Sequence, residues 1–253
     1  MLSTKQGAFI GRVEAVLSHE RFRRYAVSAS EPRWEPVARY AWNVALCEAF
    51  YPLLHGLEVV LRNRLNDLGR NAFPYQRFQH IPTWMDADPS PLHQHGERDV
   101  LKAKQKLFGT DRATGALLPS VRPLKEGDLV AALDFGFWTG LFGKHYLYQS
   151  SGDRRLWPHG FPSVFPHAPA TPKLGAVSWR INELRHLRNR VFHHEPIWRR
   201  PDLAGDRDSI LGLLDWMSPE AARLLRATER LTEVLSDDFR RRLRVRIYHE
   251  TRR

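Results

Sequence analysis

Apolar residues recur along this chain mainly at spacings of three and four positions, which is the period of an α-helix. No segment shows the alternation of apolar and polar residues that is typical of a half-buried strand. We therefore predict an all-α protein, a bundle of roughly seven helices in a single domain over residues 1–253. The segments predicted to be helical are 8–25, the element from Pro36 to about Gly69, 96–108, 126–142, 172–194, 206–217 and 219–236.

Prolines mark several of the expected boundaries. Pro36 suits the first turn of a helix, whereas Pro52 is expected to kink that helix or to restart it. The stretches 72–96 and 146–171 are rich in proline and aromatic residues and have no helical period. We therefore predict two long irregular loops there, which could cover a cleft or bind a partner.

Two histidines in the first of these loops, His93 and His95, have the spacing of a metal-binding pair. No cluster of carboxylates or thiolates accompanies them, and Cys47 is the single cysteine of the chain. We therefore predict a solvated loop with no metal site and no cofactor. The single cysteine also excludes a disulfide framework.

The chain is strongly basic. Lysine and arginine total 39 residues against 28 aspartates and glutamates, which leaves a net charge of +11. Arginines are most frequent near the end, so we predict that 237–253 is a basic C-terminal tail. The charge favours RNA or DNA as a partner, because cationic side chains neutralise phosphates. An arginine-rich genomic composition would produce the same bias.

The sequence has no uninterrupted apolar run of the ~18 residues that a membrane span requires. Its first residues, MLSTKQGAF, lack the pattern of a signal peptide. We therefore predict a cytoplasmic protein without a membrane segment. Hydrophobic residues make up 42% of the chain and charged residues 26%, a balance that excludes a disordered protein.

The helix predicted from Pro172 to His194 is amphipathic. Successive residues of an ideal helix turn by ~100°, and on this basis one face is apolar and formed by Val177, Leu184, Leu187 and Val191. The opposite face carries a polar stripe of Asn182, His186, Asn189 and His193. Pro196 is expected to end the helix, because proline disfavours helical geometry at the residue before it.

The polar residues near the end of this helix suit RNA cleavage. A histidine such as His193 can exchange a proton with the 2′-hydroxyl or with the leaving 5′-oxygen. Arg188 can bind the scissile phosphate with two donors, and Asn189 can orient the imidazole or bind phosphate. Because RNA carries its own nucleophile, such a site needs no metal. The same residue types are also common on an ordinary solvated helix face.

This part of the chain resembles a known family. The segment Arg188-Asn189-x-x-x-His193 matches the Arg-polar-x3-His signature of HEPN ribonucleases. Its continuation, His194-Glu195-Pro196-Ile197, is similar to that of the Abi-like branch, the abortive-infection proteins of bacteria. The upstream pieces that resemble this branch, in the same order, are Trp42-Asn43, the segment from Leu57 to Asn63, and Phe135-Gly136-x-Trp138. The resemblance spans about residues 10–235.

The resemblance implies a HEPN-like helical bundle and a metal-independent endoribonuclease that acts in anti-phage defence or as a toxin. It implies a homodimer in which helix 172–194 of each copy lines a shared cleft, with an antitoxin or a phage-derived trigger as a further partner. The residues to which it gives catalytic roles are Arg188, Asn189 and His193. His194 and Glu195 fit the pattern of the branch and are candidates for supporting roles. Further supporting candidates are His186, from the polar stripe, and the i, i+4 pair Glu58 and Arg62, as an ion pair or behind the site.

A catalytically silent RNA-binding or regulatory protein with the same fold is the second hypothesis. The complete set of Arg188, Asn189 and His193 favours the enzyme, because a protein that only binds RNA has no need of all three. A DNA-binding regulator would need a helix-turn-helix, and the sequence shows no clear example.

Overall fold

The computed structural model describes residues 4–73, 83–119, 125–147, 156–169 and 172–253. These residues form α-helices and no β-strand, so the all-α prediction is confirmed for the described part of the chain. The helices are α1 (Thr4–Leu17), α2 (His19–Arg23), α3 (Trp34–Ala72), α4 (Gln94–Phe108), α5 (Glu126–Ala132), α6 (Phe135–Gly140), α7 (Phe161–Val164), α8 (Leu174–Phe192), α9 (Leu203–Met217), α10 (Pro219–Thr228), α11 (Leu231–Leu235) and α12 (Asp237–Glu250).

The described residues contain more helices than the roughly seven expected, because short polar residues interrupt segments with a continuous helical period. The segment predicted as one helix over 8–25 breaks at Ser18, whose side chain accepts a hydrogen bond from the Arg21 amide and starts α2. The segment predicted over 126–142 breaks at Asp134, which caps α6 by accepting from the Phe137 amide at 2.8 Å.

Pro52 lies inside α3, which continues as one helix from Trp34 to Ala72. The expected restart at Pro52 is therefore wrong. A proline in a helix interior costs about 3 kcal/mol, and burial of apolar side chains on both sides of it offsets this cost. The fully buried side chains of this helix nearest the proline are Phe50, Leu53, Leu54 and Leu57.

Helix α3 is also long and apolar enough to cross a membrane by length and composition, with a mean hydropathy of 1.5 over its most apolar 18 residues. The helix contains no uninterrupted apolar run of this length, because polar and charged residues such as Glu48, His55 and Glu58 interrupt its apolar positions. One such helix is weak evidence for a membrane span, because the core helix of a soluble protein passes the same test.

The described helices belong to two compact units. The first unit comprises Met1–His55, His186–Leu211 and Arg223–Arg253, and the second comprises Gly56–Arg185 and Gly212–Ala222. Neither unit is a continuous stretch of chain. The single domain over 1–253 stays a prediction.

The core of the first unit forms around three buried side chains from α1, α2 and α3, namely Ile10, Phe22 and Val37. Ile247 of α12 packs against this cluster, and Gln6 of α1 donates a buried hydrogen bond to the Thr251 hydroxyl at 3.2 Å. The segment 237–253, expected as a basic tail, therefore consists mainly of α12, which packs on the unit. Arg244 strengthens this contact through an ion pair with the buried Glu35.

The second unit buries aromatic residues from both stretches that were expected to be irregular loops. Trp84 is buried and donates to Asn66 at 2.8 Å, and Gly69 leaves no room for a Cβ beside the Trp84 ring. Trp157 is buried and donates to the Leu141 carbonyl at 2.7 Å. Both stretches thus contribute to the core. Their remaining parts, 74–82, 148–155 and 170–171, lie outside the described residues.

Candidate active site

Helix α8 has the two faces that the sequence predicts. The residues predicted to be apolar and inward, all of them buried, are Val177, Leu184, Leu187 and Val191. On the opposite side, Asn182, His186 and His193 are exposed and Asn189 is half-buried. The amphipathic character of this helix, and hence the outward position of its polar stripe, is confirmed.

The last turn of α8 closes with two backbone hydrogen bonds. The Glu195 amide donates to the Arg190 carbonyl at 2.8 Å, and the His194 amide donates to the Val191 carbonyl at 3.2 Å. This is the Schellman arrangement, in which the residue after the helix adopts a left-handed conformation. His194 has that conformation, with φ of 58°. The helix therefore ends at Phe192, and His193 projects from its final turn.

A buried asparagine holds the segment that follows the helix. The Asn43 side-chain oxygen accepts hydrogen bonds from the Ile197 amide at 2.7 Å and from the Trp198 amide at 3.1 Å. Arg21 donates to the His194 carbonyl at 2.9 Å, and thereby attaches α2 to the same segment. Two pieces of the family resemblance, Trp42-Asn43 and the residues up to Ile197, thus meet in one unit.

These contacts form a cleft of about 250 Å³ at the end of α8. The cleft is lined by Ser18, Glu20, Arg21, Arg24, His193, His194, Glu195 and Pro196. Three of these residues, His193, His194 and Glu195, are among those predicted from the sequence. Ser18, Arg21 and Arg24 were not predicted, since the basic run around Arg21 was their only local signal and nothing in it indicates contact with residues 170 positions away.

The cleft also contains both left-handed non-glycine residues found in the described part of the chain. Ser18 has φ of 70° and His194 has φ of 58°. Such conformations cost of order 1–3 kcal/mol each for non-glycine residues and are concentrated at functional sites. Their presence on both walls of one cleft supports a functional interpretation of it.

The charges in the cleft suit an anion. Arg24 is exposed and Arg21 is half-buried, and both face the cleft with the exposed imidazole of His193. No described residue pairs with the Arg24 guanidinium or the His193 ring. Two carboxylates, Glu20 and Glu195, also line the cleft, and that of Glu195 is paired at 3.7 Å with Arg190, which is not a lining residue. Two guanidinium groups and an imidazole can therefore contact a phosphate there.

Arg188 and Asn189 lie one turn before His193 and do not line the cleft. The Arg188 guanidinium stacks over the Phe192 ring at 4.3 Å, and one of its nitrogens is 3.5 Å from the Asn189 side-chain oxygen. Phe192 in turn stacks on Tyr51 of α3 at 5.3 Å between ring centroids. These two predicted catalytic residues therefore border an exposed aromatic surface.

Glu58 and Arg62 lie on α3 in the second unit. The Arg62 Nε is buried and has no hydrogen-bond partner in the described residues, and the ion pair of Arg62 with Glu58 stays a prediction. In the same unit His93 stacks on His145 at 3.8 Å. No group of three or more potential metal ligands occurs among the described residues.

Comparison with protein-family models, with curated proteins and with solved structures gave no match. The functional interpretation of the cleft therefore rests on its own residues and on the resemblance of short motifs.

Proposed function

We propose that this protein is a metal-independent endoribonuclease of the HEPN type. The observation that supports it best is the cleft in which His193 lies together with Arg21 and Arg24. An imidazole can transfer protons near neutral pH, and arginine can stabilise the charge that develops on a phosphate during transfer. This combination is sufficient for cleavage of RNA, in which the 2′-hydroxyl is the nucleophile.

In the proposed reaction a base removes the 2′-hydroxyl proton and the oxygen attacks the adjacent phosphorus. The bond from phosphorus to the 5′-oxygen breaks, and an acid protonates that oxygen as it leaves. The products are a 2′,3′-cyclic phosphate and a 5′-hydroxyl end. His193 is assigned to one of the two proton transfers, and Arg21 and Arg24 to binding of the phosphate. A second imidazole from another copy would supply the other transfer.

We expect cleavage to persist in excess EDTA and to leave 2′,3′-cyclic phosphate ends. The reason is that protons and guanidinium groups perform the proposed chemistry, and the nucleophile belongs to the substrate. The measurement is incubation of purified protein with radiolabelled RNA, with the ends identified by their sensitivity to a cyclic phosphodiesterase. A matched DNA strand is the control. An absolute requirement for added Mg²⁺ or Mn²⁺, or DNA cleavage at a similar rate, would contradict the mechanism.

A homodimer forms part of the proposal, with α8 at its interface. Arg188 and Phe192 of α8 adjoin Tyr51 of α3, whose side chain is half exposed although it is aromatic. An exposed aromatic residue beside the motif is a suitable centre for a two-fold contact. Such a contact would bring Arg188 and Asn189 of both copies together. A site shared between two copies would explain why Arg188 and Asn189 do not line the cleft of a single chain.

We expect a dimer in light scattering at micromolar concentration, and we expect Tyr51→Arg to yield a monomer with at least tenfold weaker cleavage. The substitution places two like charges across the two-fold axis. Val245→Arg is the matched control, since Val245 is another half-exposed apolar residue of the same unit, on α12. A wild-type monomer with full cleavage would refute the shared site.

A catalytically silent RNA-binding protein is the second candidate. It is favoured by one observation, namely that Arg188 and Asn189 do not line the cleft that contains His193. The basic charge of the chain suits both candidates. The role in anti-phage defence or as a toxin, the location in the cytoplasm, and an antitoxin or phage-derived trigger as partner follow from the motif resemblance and belong to the proposal.

A further inference from the structure

A second cavity adjoins the cleft within the same unit. It has a volume of about 590 Å³ and shares Ser18, Arg21 and His194 with the cleft. Its other lining residues are Val16, Leu17, Tyr25, Tyr40, Asn43, Val44 and Cys47. A ligand whose phosphate lies in the cleft can therefore extend into this cavity past Arg21 and His194.

Tyr25 has an unusual position in the wall of this cavity. Its side chain is 0% exposed, and its hydroxyl has no hydrogen-bond partner in the described residues. A buried hydroxyl without a partner costs about 1–3 kcal/mol, so proteins seldom retain one without a reason. Burial raises the pKa of Tyr25 to about 12, and the group is therefore a neutral donor at physiological pH.

Two other polar residues of the cavity, Asn43 and Cys47, already make contacts. The Asn43 oxygen accepts from two backbone amides, and its nitrogen contacts the Cys47 sulfur at 3.7 Å. Burial raises the pKa of Cys47 to about 11, which keeps the thiol neutral. The Tyr25 hydroxyl, in contrast, is a buried polar group that has no contact to lose when it binds a ligand.

The remaining surface of the cavity suits a flat ring. Tyr25 packs edge to face against Tyr40, with 5.4 Å between their centroids, and the half-buried Tyr40 ring provides an aromatic surface of the cavity. Val44 is half exposed, and Val16 is 80% exposed, which makes the rim apolar. Cavities that bind small molecules are mostly apolar, with a few polar groups that fix the orientation of the ligand.

We propose that this cavity binds one unpaired base of the RNA beside the scissile phosphate, and that the Tyr25 hydroxyl hydrogen-bonds to the edge of that base. This inference rests on the proposed function, because it takes the phosphate position from the cleft with His193. An unpaired base exposes its hydrogen-bonding edge and its faces, which is how proteins generally read RNA sequence. The cavity would then determine which nucleotide adjoins the cut.

The test is equilibrium binding of short RNAs that cannot be cleaved, because the nucleotide at the cut carries no 2′-hydroxyl. The four bases are varied in turn on the 5′ and on the 3′ side of that phosphate. We expect wild-type protein to prefer one base at one of these positions by about tenfold, the size of one well-placed hydrogen bond. The same preference should appear at the cut sites of a long RNA.

Tyr25→Phe removes only the hydroxyl, and we expect the preference to fall to about twofold or less while the melting temperature stays equal or rises. Val44→Trp fills the cavity from its exposed rim, and we expect it to weaken binding of every probe. Tyr248→Phe is the matched control, because Tyr248 belongs to the same unit and lies outside the cavity. It should retain the full preference.

The outcomes separate this inference from the proposed function. Equal binding of all bases by wild-type protein, or an unchanged preference in Tyr25→Phe, would overturn the base site even if RNA is cleaved. A preference that depends on Tyr25, in a protein that never cleaves RNA, would support the base site and reject the ribonuclease. Val44→Trp with unchanged binding would place the base elsewhere and would also overturn the inference.

Discussion

Replacement of His193 by alanine is expected to lower RNA cleavage by about 10²- to 10⁴-fold, the usual contribution of a positioned acid or base. The ring of His193 projects into the cleft beside Arg21 and Arg24. Its loss would remove a proton transfer and leave the phosphate-binding groups in place. We therefore expect the variant to bind uncleavable RNA with nearly wild-type affinity. Cleavage and binding should be measured on the same RNA.

The fold should survive this substitution. The His193 side chain is exposed, and the backbone bond from its amide to the Asn189 carbonyl does not depend on the ring. Substitutions at such positions usually change the free energy of unfolding by about 0.5 kcal/mol or less. His249→Ala is the matched control, an exposed histidine in the same unit that lies outside the cleft.

Two outcomes would count against the assignment of His193. Full cleavage by His193→Ala would remove this residue from the mechanism. Loss of cleavage together with unfolding would show that the histidine serves the structure, and the RNA-binding candidate would then be preferred.

Asn43→Ala is expected to lower the free energy of unfolding by about 2–4 kcal/mol. The substitution deprives the buried Ile197 amide and the part-buried Trp198 amide of their acceptor. A buried unpaired amide costs about 1–3 kcal/mol, and a part-buried one costs less because water can reach it. We also expect cleavage to fall by more than tenfold at temperatures where the protein stays folded. The reason is that Asn43 holds the segment that carries His194, and small displacements of reacting groups reduce rates strongly.

Asn66→Ala is the matched control for the expected loss of cleavage in Asn43→Ala. Asn66 is also a buried asparagine with two side-chain partners, Trp84 and Glu126, and it lies in the second unit. It should reduce stability to a similar extent, by thermal or urea unfolding, without a specific loss of cleavage. If Asn66→Ala impaired cleavage of folded protein as much as Asn43→Ala, the positioning role of Asn43 would be rejected.

The local pattern of the sequence was enough to determine the helical class and the polarity of individual helices. The segment predicted over 96–108 forms α4, and the segment predicted over 206–217 lies within α9. The inward and outward faces of α8 were likewise predicted. Residues three and four apart on a helix share a face, and this geometry does not depend on tertiary contacts. The helical class and the polarity of each face depend on residues within a few turns of one another, so they can be predicted without a tertiary structure.

The periodicity of the sequence did not predict where helices break and where they continue. Ser18 and Asp134 divide segments of unbroken period because their side chains bond to nearby amides, which periodicity does not detect. Pro52 lies within a continuous helix, because burial of its apolar neighbours outweighs the local preference of proline.

The sequence by itself indicated His193 and its neighbours as the candidate site, through helical spacing and a motif resemblance. Only the tertiary structure brought Arg21 and Arg24 to the same cleft, kept Arg188 out of it, and left the Tyr25 hydroxyl buried without a partner. The physical reason is the distance along the sequence between the residues that interact. Helical period and capping depend on residues within one or two turns, whereas the cleft depends on contacts between segments about 170 positions apart, which no local preference specifies.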